Sequence, residues 1–378
     1  MTYQLNNEQI MIRDMVRTFV LKEIVPVARN YDEQEQFPLE LLNKMNELGL
    51  LNMVVPEEYG GTGADELTHT IAVEEISRGC CGVATSAGAN ALASYAILLA
   101  GTDNQKRRFL THLGEDGKLA SFALTEPEAG SDVLNIKTIA VKKGQDYVIT
   151  GAKCFITNAS YAHQYTVFAV TNKSKGSRKL SCFVVPRDSE GVSVGRTEHK
   201  MGIRASNTAD VIFENVRIPA DNLIGDEGDG FKLAMQTLDH SRPTVAAQAV
   251  GLAQAALDAA VKFARERVQF GRPISEFQGI QFMLADMAIK VETARLLVYQ
   301  VARMIDGRQP FTKHSAMAKT YASDAAMQVC TDAVQICGGY GYTREFPVEK
   351  FMRDAKILQI FEGTNQIQRI VIARQLLA

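Results

Sequence analysis

Hydrophobic positions recur at helical spacing through the first third of the chain. Between residues 8 and 25, Ile10, Ile12, Met15, Val16, Phe19 and Val20 fall close to the helical period, which predicts an amphipathic helix. The same pattern over 39–51 follows Pro38, a residue that suits a first helical turn. The run PEEYGGTGADE then interrupts with clustered glycines, and further helices are expected over 67–77 and through the apolar, small-residue stretch 82–99. Near Ser121 the period changes. VITGAKCFITN, YTVFAV, LSCFVVP, GVSVG and ADVIFENVRIP are short β-branched or aromatic runs bounded by Gly, Pro, Asn and Ser, as expected of an antiparallel sheet or small barrel. From Gly230 the helical period returns in long Ala- and Leu-rich runs that fit packed helices. The predicted fold class is mainly α with a central β domain: an N-terminal helical domain (1–120), a small antiparallel β-barrel (121–228) and a C-terminal four-helix bundle (229–378).

Composition narrows the possible partners. The 378 residues carry a formal net charge of −2, and the densest basic cluster, Lys106-Arg107-Arg108, reads as a solvated helix face, so neither nucleic acid nor a membrane surface is an expected partner. No run is expected to reach the ~20 apolar residues of a membrane span. The N-terminus shows no signal or transit pattern, and a cytoplasmic location is the expectation. The six cysteines and six histidines lack metal-ligand spacing, so no metal is expected.

Several segments place chemistry-bearing residues on turns. In IFEGTNQIQR (360–369), Glu362 stands among apolar residues and precedes Gly363. Burial would raise the pKa of such a carboxylate and make it a stronger base, while the glycine admits a ligand close to the backbone. A helix-terminal Glu with a glycine cap has the same letters. FALTEPEAGSD (122–132) offers Thr125, Glu126, Gly130 and Ser131 on a loop, or is a plain turn. CFITNAS (154–160) reads as an ordinary strand interior. In LDHSRP (238–243), Asp239 and Arg242 are helical neighbours that could form a surface ion pair. RVQFGRPISEFQ (267–278) sets Phe270 and Gly271 between arginines suited to phosphate, or forms a solvated helix end. VQICGGYGY (334–342) adds Gln335, Gly338 and Gly339. GxGxxG and Walker-type motifs are absent, so a nicotinamide-binding Rossmann unit has no support.

Together these segments resemble the acyl-CoA dehydrogenases, flavoenzymes that desaturate acyl thioesters, in family order and over essentially the whole chain. The resemblance implies that Glu362 removes the substrate α proton and that FAD is the cofactor. It implies flavin contacts from Phe122, Leu124, Thr125, Gly130, Ser131, Phe155 and Thr157. Contacts from Arg267, Gln269, Phe270, Gln278, Gln335, Gly338, Gly339, Thr364 and Gln366 are implied as well, with Arg267 and Phe270 reaching the cofactor of a neighbouring subunit. Family members often carry Trp at the position of Phe155, but any aromatic plane can cover a ring. Ser131, Asp239, Arg242 and Gly363 would contact substrate. Isovaleryl-type and long-chain-type relatives carry the base at the position of Ser241; serine there leaves Glu362 as the base.

The implied reaction is α,β-dehydrogenation of a short- to medium-chain acyl-CoA, with wording closest to the medium-chain type. Electrons would pass to an electron-transferring flavoprotein, and the assembly would be a homotetramer, a dimer of dimers. SAGANAL (86–92) resembles the segment that floors the acyl cavity; its small residues, Gly88 among them, would leave room for a straight chain. No arginine for a distal carboxylate occurs there, which disfavours dicarboxylic substrates. Enoyl-CoA reduction, or a cyclic or aryl acyl-CoA, would use the same site. A CoA-binding scaffold would show a lost base or a broken flavin loop, and neither is present.

Overall fold

The computed structural model describes residues 4–172 and 176–377. Six helices come first: α1 (Asn7–Phe19), α2 (Val25–Glu33), α3 (Leu39–Glu47), α4 (Glu66–Gly79), α5 (Cys81–Ala100) and α6 (Asp103–Gly114). The helix expected over 8–25 runs on to Glu33, because a π turn over Val20–Ile24 links α1 to α2. Pro26 falls in the first turn of α2, directly after the π turn, and has no N–H to donate back into it. Asp65 caps α4 by accepting the Thr68 N–H.

The strands are β1 (Leu119–Ala123), β2 (Ile139–Lys143), β3 (Asp146–Thr157), β4 (Ala162–Val170), β5 (Leu180–Pro186), β6 (Val192–Thr197), β7 (Thr208–Pro219) and β8 (Leu223–Ile224). They hydrogen-bond in the order β6-β7-β3-β2-β4-β5-β8, with β1 attached to β4. Pairing is antiparallel as expected except where β4 meets β1 and, at one residue pair, β2. The chain enters β1 directly from α6, so β1 is brought in alongside β4 rather than folded back by a hairpin turn.

The last region holds three long helices, α7 (Gly230–Glu266), α8 (Gln278–Asp306) and α9 (Thr312–Cys337), with α10 (Val348–Leu358) and α11 (Asn365–Leu377) packed on α9. This is one helix more than the expected four. A hairpin of β9 (Val268–Gln269) and β10 (Arg272–Pro273), unforeseen in the helical pattern, joins α7 to α8. Its two turn residues, Phe270 and Gly271, have φ of 53° and 81°, the left-handed pair that a tight hairpin demands.

α5 and α7 are long and apolar enough to cross a membrane, contrary to the expectation from the sequence. Their apolar windows are mostly buried inside the fold, where they meet other helices and the sheet. α5 lies between β1 and α7. α10 is fastened to the rest through Asp354, which pairs with Lys350 at 2.5 Å and accepts the Ile203 N–H at 2.5 Å, and through Arg353, which reaches Asp32 at 2.7 Å. These ties set the position of the turn that follows α10.

Candidate active site

Glu362 occupies the turn between α10 and α11 with φ of +53°, followed by Gly363 at +91°. A non-glycine residue in this region costs on the order of 1–3 kcal/mol and persists only where its surroundings hold it. The holding groups are donors to the turn carbonyls. Gln368 Nε2 donates to the Glu362 carbonyl at 3.2 Å and to the Gly363 carbonyl at 2.9 Å. Lys319 Nζ, from α9, donates to the same Gly363 carbonyl at 2.9 Å. The Glu362 side chain points at α7, where the Ser241 hydroxyl donates to its carboxylate. Glu362 is half-buried as a residue, but its carboxylate lies deep, and lost hydration raises its pKa. Ser241, Lys319 and Arg242 pull the other way without cancelling that effect.

The Asp239–Arg242 pair is not the surface pair that its spacing allowed: Arg242 is only 3% exposed and Asp239 is half-buried. Asp239 also accepts the Thr312 hydroxyl at 2.8 Å. Arg242 Nε is buried with no partner among the described residues, a donor open to ligand or water. Lys319 is fully buried, and desolvation pushes its pKa down to about 7, with Glu362 and Asp324 opposing. The sequence reading missed it, since a single lysine in a helix normally reads as solvated. Tyr95 on α5 is buried and donates to Glu66 at 3.2 Å. Its hydroxyl pKa is raised well above normal by burial first, and by the Glu66 and Glu362 charges.

Gly88 faces α7. A Cβ there would lie 3.2 Å from Gln248 Nε2 and 3.6 Å from Thr244 Cγ2. The space directly beside this glycine is taken by the Gln248 amide, which also accepts the Thr85 hydroxyl at 3.1 Å.

A second group gathers where β1 meets β3. The Cys154 N–H donates to the Thr125 carbonyl at 2.9 Å, and the Ser121 hydroxyl donates to the Thr157 carbonyl at 2.7 Å. Phe155 sits in a bulge of β3 with φ of +58° and leaves 63% of its surface exposed, an aromatic face turned out of the sheet. Gly130 and Ser131 are exposed, and nothing lies within 4 Å of a Cβ at Gly130. Phe122 packs its ring against Phe168 (5.1 Å between centroids) and Leu124 is buried, so their side chains belong to the core. Glu126 is committed to structure. It pairs with fully buried Lys153 at 2.8 Å and accepts the Lys137 and Thr138 N–H groups at 2.7 and 3.0 Å. Burial pushes Glu126 up, but these partners, Lys153 foremost, leave its pKa below the usual value.

A third group surrounds an open hollow of about 520 Å³ lined by Arg267, Gln269, Gly338, Gly339 and Tyr340, among others. The Arg267 guanidinium lies 5.3 Å from the centre of the Tyr340 ring. Gly338 has φ of +58°, and a Cβ at Gly338 or Gly339 would meet nothing within 4 Å. Phe270 is 93% exposed at the hairpin tip. Gln335 and Gln278 are exposed, on the last turn of α9 and the first residue of α8. Thr364 precedes α11 and its hydroxyl accepts the Ile367 N–H at 3.3 Å, a capping role; Gln366 is exposed beside it. The fold thus brings Asp239, Arg242, Glu362 and Gly363 together, and Arg267 and Gln269 with Gly338 and Gly339, while the β1–β3 residues form their own surface.

Residues 6–116, 121–216 and 228–377 match the N-terminal, middle and C-terminal domains of acyl-CoA dehydrogenase. The probable acyl-CoA dehydrogenase YngJ of Bacillus subtilis is 49% identical, with all of both chains covered. The short-chain specific acyl-CoA dehydrogenase of Clostridium acetobutylicum is 44% identical over 99% of each. Butyryl-CoA dehydrogenase from Megasphaera elsdenii superposes with a TM-score of 0.98 at 44% identity, covering 100% of both chains. A chain from a structure described as the electron transferring flavoprotein of Acidaminococcus fermentans gives the same TM-score of 0.98 at 48% identity and the same full coverage. The three-part architecture and the relatives agree along the whole length, and the chain belongs to the acyl-CoA dehydrogenase family of FAD-dependent oxidoreductases.

Proposed function

We propose that the protein oxidises a short, straight-chain acyl-CoA to the trans-2-enoyl-CoA, with Glu362 as the base. The observation that carries this reading is a desolvated carboxylate with a raised pKa, held on a strained turn against Ser241 and Arg242. Bound FAD would accept the β hydride. The residues present fit that cofactor. Phe155 offers an uncovered aromatic plane, Gly130, Gly338 and Gly339 leave backbone open to close approach, and Arg267 supplies a cation suited to pyrophosphate. Thr125, Ser131 and Thr157 would surround the ring system, with Ser131 also reaching substrate.

Glu362 takes the α proton, and its partners decide how readily. Ser241, Arg242 and Lys319 favour the ionised form needed to start, while burial favours the protonated form reached at the end. The backbone amide of Glu362 would polarise the thioester carbonyl as the α carbon becomes acidic. A short chain is supported by the Gln248 amide opposite Gly88 and by the likeness to a short-chain specific enzyme and a butyryl-CoA dehydrogenase. The Acidaminococcus likeness supports an electron-transferring flavoprotein as electron acceptor. Exposed Phe282, Ile289 and Leu296, seven residues apart along α8, and exposed Phe270 support self-association, with a homotetramer as the proposed state.

The deciding experiment is anaerobic addition of butyryl-CoA to purified native protein and to Glu362→Gln, followed at the flavin absorbance. Native flavin should bleach; Glu362→Gln should stay yellow, bind the thioester and react at least ~10²-fold more slowly. Near-native bleaching by Glu362→Gln would place the base elsewhere.

A further inference from the structure

Lys319 is 0% exposed, and both hydrogen bonds from its ammonium go to the segment that follows the base. It donates to the Gly363 carbonyl and to Asn365 Oδ1, each at 2.9 Å. The Asn365 amide is in turn gripped by Ser323 Oγ at 2.9 Å and Asp324 Oδ1 at 2.8 Å. Lys319, Ser323 and Asp324 share one face of α9, so a single rigid helix holds the turn from below. A lysine buried this completely is strongly disfavoured unless its donors and its charge are answered. Here the donors meet the Gly363 carbonyl and Asn365, and the charge is felt by the Glu362 carboxylate. An apolar residue of similar volume would fill the space and hold neither. Gln368 is the second clamp on the same carbonyl, but it brings no charge.

We propose that Lys319 is a positioning residue for the base: its ammonium anchors the Gly363 carbonyl, keeps Glu362 in its left-handed conformation against Ser241, and adds a positive charge that favours the ionised carboxylate. The proposal rests on the role of Glu362 given above. It assigns Lys319 no contact with substrate. The charged and titratable groups in play are few. Glu362 faces Lys319 from α9, Arg242 and the Ser241 hydroxyl from α7, and Tyr95 from α5. Lys319 faces Glu362, Arg242 and, on its own helix, Asp324. Removing the Lys319 charge takes away one of the influences that hold the Glu362 pKa down, so the base would bind its proton up to a higher pH.

The test uses FAD-loaded native protein, Lys319→Met, Lys319→Gln and Lys319→Arg. Flavin bleaching by butyryl-CoA is measured from acid to alkaline pH, and crotonyl-CoA affinity by calorimetry. Lys319→Met should bind crotonyl-CoA within about threefold of native yet bleach at least ~10-fold more slowly, with the acid limb of its profile moved to higher pH. Lys319→Gln, which keeps a donor but no charge, should recover rate while its limb stays displaced; Lys319→Arg should return the limb toward native. A purely structural lysine would lower stability or flavin content without moving the limb. Bleaching by Lys319→Met within about twofold of native, with an unmoved limb, would overturn the proposal. Should Lys319→Met not fold, Lys319→Gln decides, because an unmoved limb there is equally fatal. Failure of the underlying reading shows separately, as native flavin that no thioester bleaches or as an active Glu362→Gln.

Discussion

The Ser241 hydroxyl of α7 donates to the Glu362 carboxylate across 121 residues of sequence. Position 241 is where some relatives are expected to carry the base, and the contact explains how a carboxylate at either place could serve one proton: the two side chains meet. In this chain the serine acts on Glu362 instead, stabilising its charged form against the burial that opposes it.

Ser241→Ala should therefore raise the Glu362 pKa, since a bond to the ionised form is lost. The ionised base is the active one, so the acid limb of kcat/KM moves to higher pH. Below the limb the variant should be slower by roughly tenfold or more, the worth of one charge-assisted hydrogen bond, and well above it the deficit should shrink. A pH–rate series with butyryl-CoA reads this directly; a uniform loss at every pH would contradict it.

Glu126→Gln should destabilise the fold rather than impair chemistry. It would leave Lys153, which is fully buried, without its counter-charge and weaken the bonds to the Lys137 and Thr138 N–H groups. Breaking a buried pair from one side costs about 3–5 kcal/mol, to be read from denaturant midpoints of the loaded protein.

Phe155→Ala should weaken FAD binding by roughly 3–10-fold, the range of one aromatic stacking contact. The side chain is mostly exposed without a ligand, so the unfolding midpoint of the flavin-free protein should barely move. FAD titration of that protein measures the first; thermal melts measure the second.

Gln248→Ala should lengthen the acceptable chain by removing the amide that faces Gly88. The ratio of kcat/KM for octanoyl-CoA to that for butyryl-CoA should rise at least ~10-fold, about what one or two methylenes gain from new space. An unchanged ratio would show that chain length is set elsewhere.

Much of the architecture was legible because hydrophobic period is a local property. The switch from helical to strand spacing near Ser121 and back near Gly230 follows from which residues must face a core, whatever they meet there. Glu362 stood out only through the resemblance of its segment to the family, since a helix-terminal Glu with a glycine cap has the same letters. Single-letter context misjudged groups whose meaning depends on a distant partner. Asp239 and Arg242 read as a surface pair, yet Arg242 is buried and Asp239 half-buried; Glu126 read as an open loop polar group and is closed by Lys153.

By itself the sequence determined the broad succession of helical, strand and helical regions and the family, and it pointed to Glu362 as the candidate base, through local spacing and short motifs. Only the tertiary structure decided what surrounds that base. Ser241, Arg242 and Lys319 come from two helices, and their effect on Glu362 is electrostatic, falling with distance and growing with burial. Distance and burial exist only after the chain has packed, so no pattern of letters along it could have stated them.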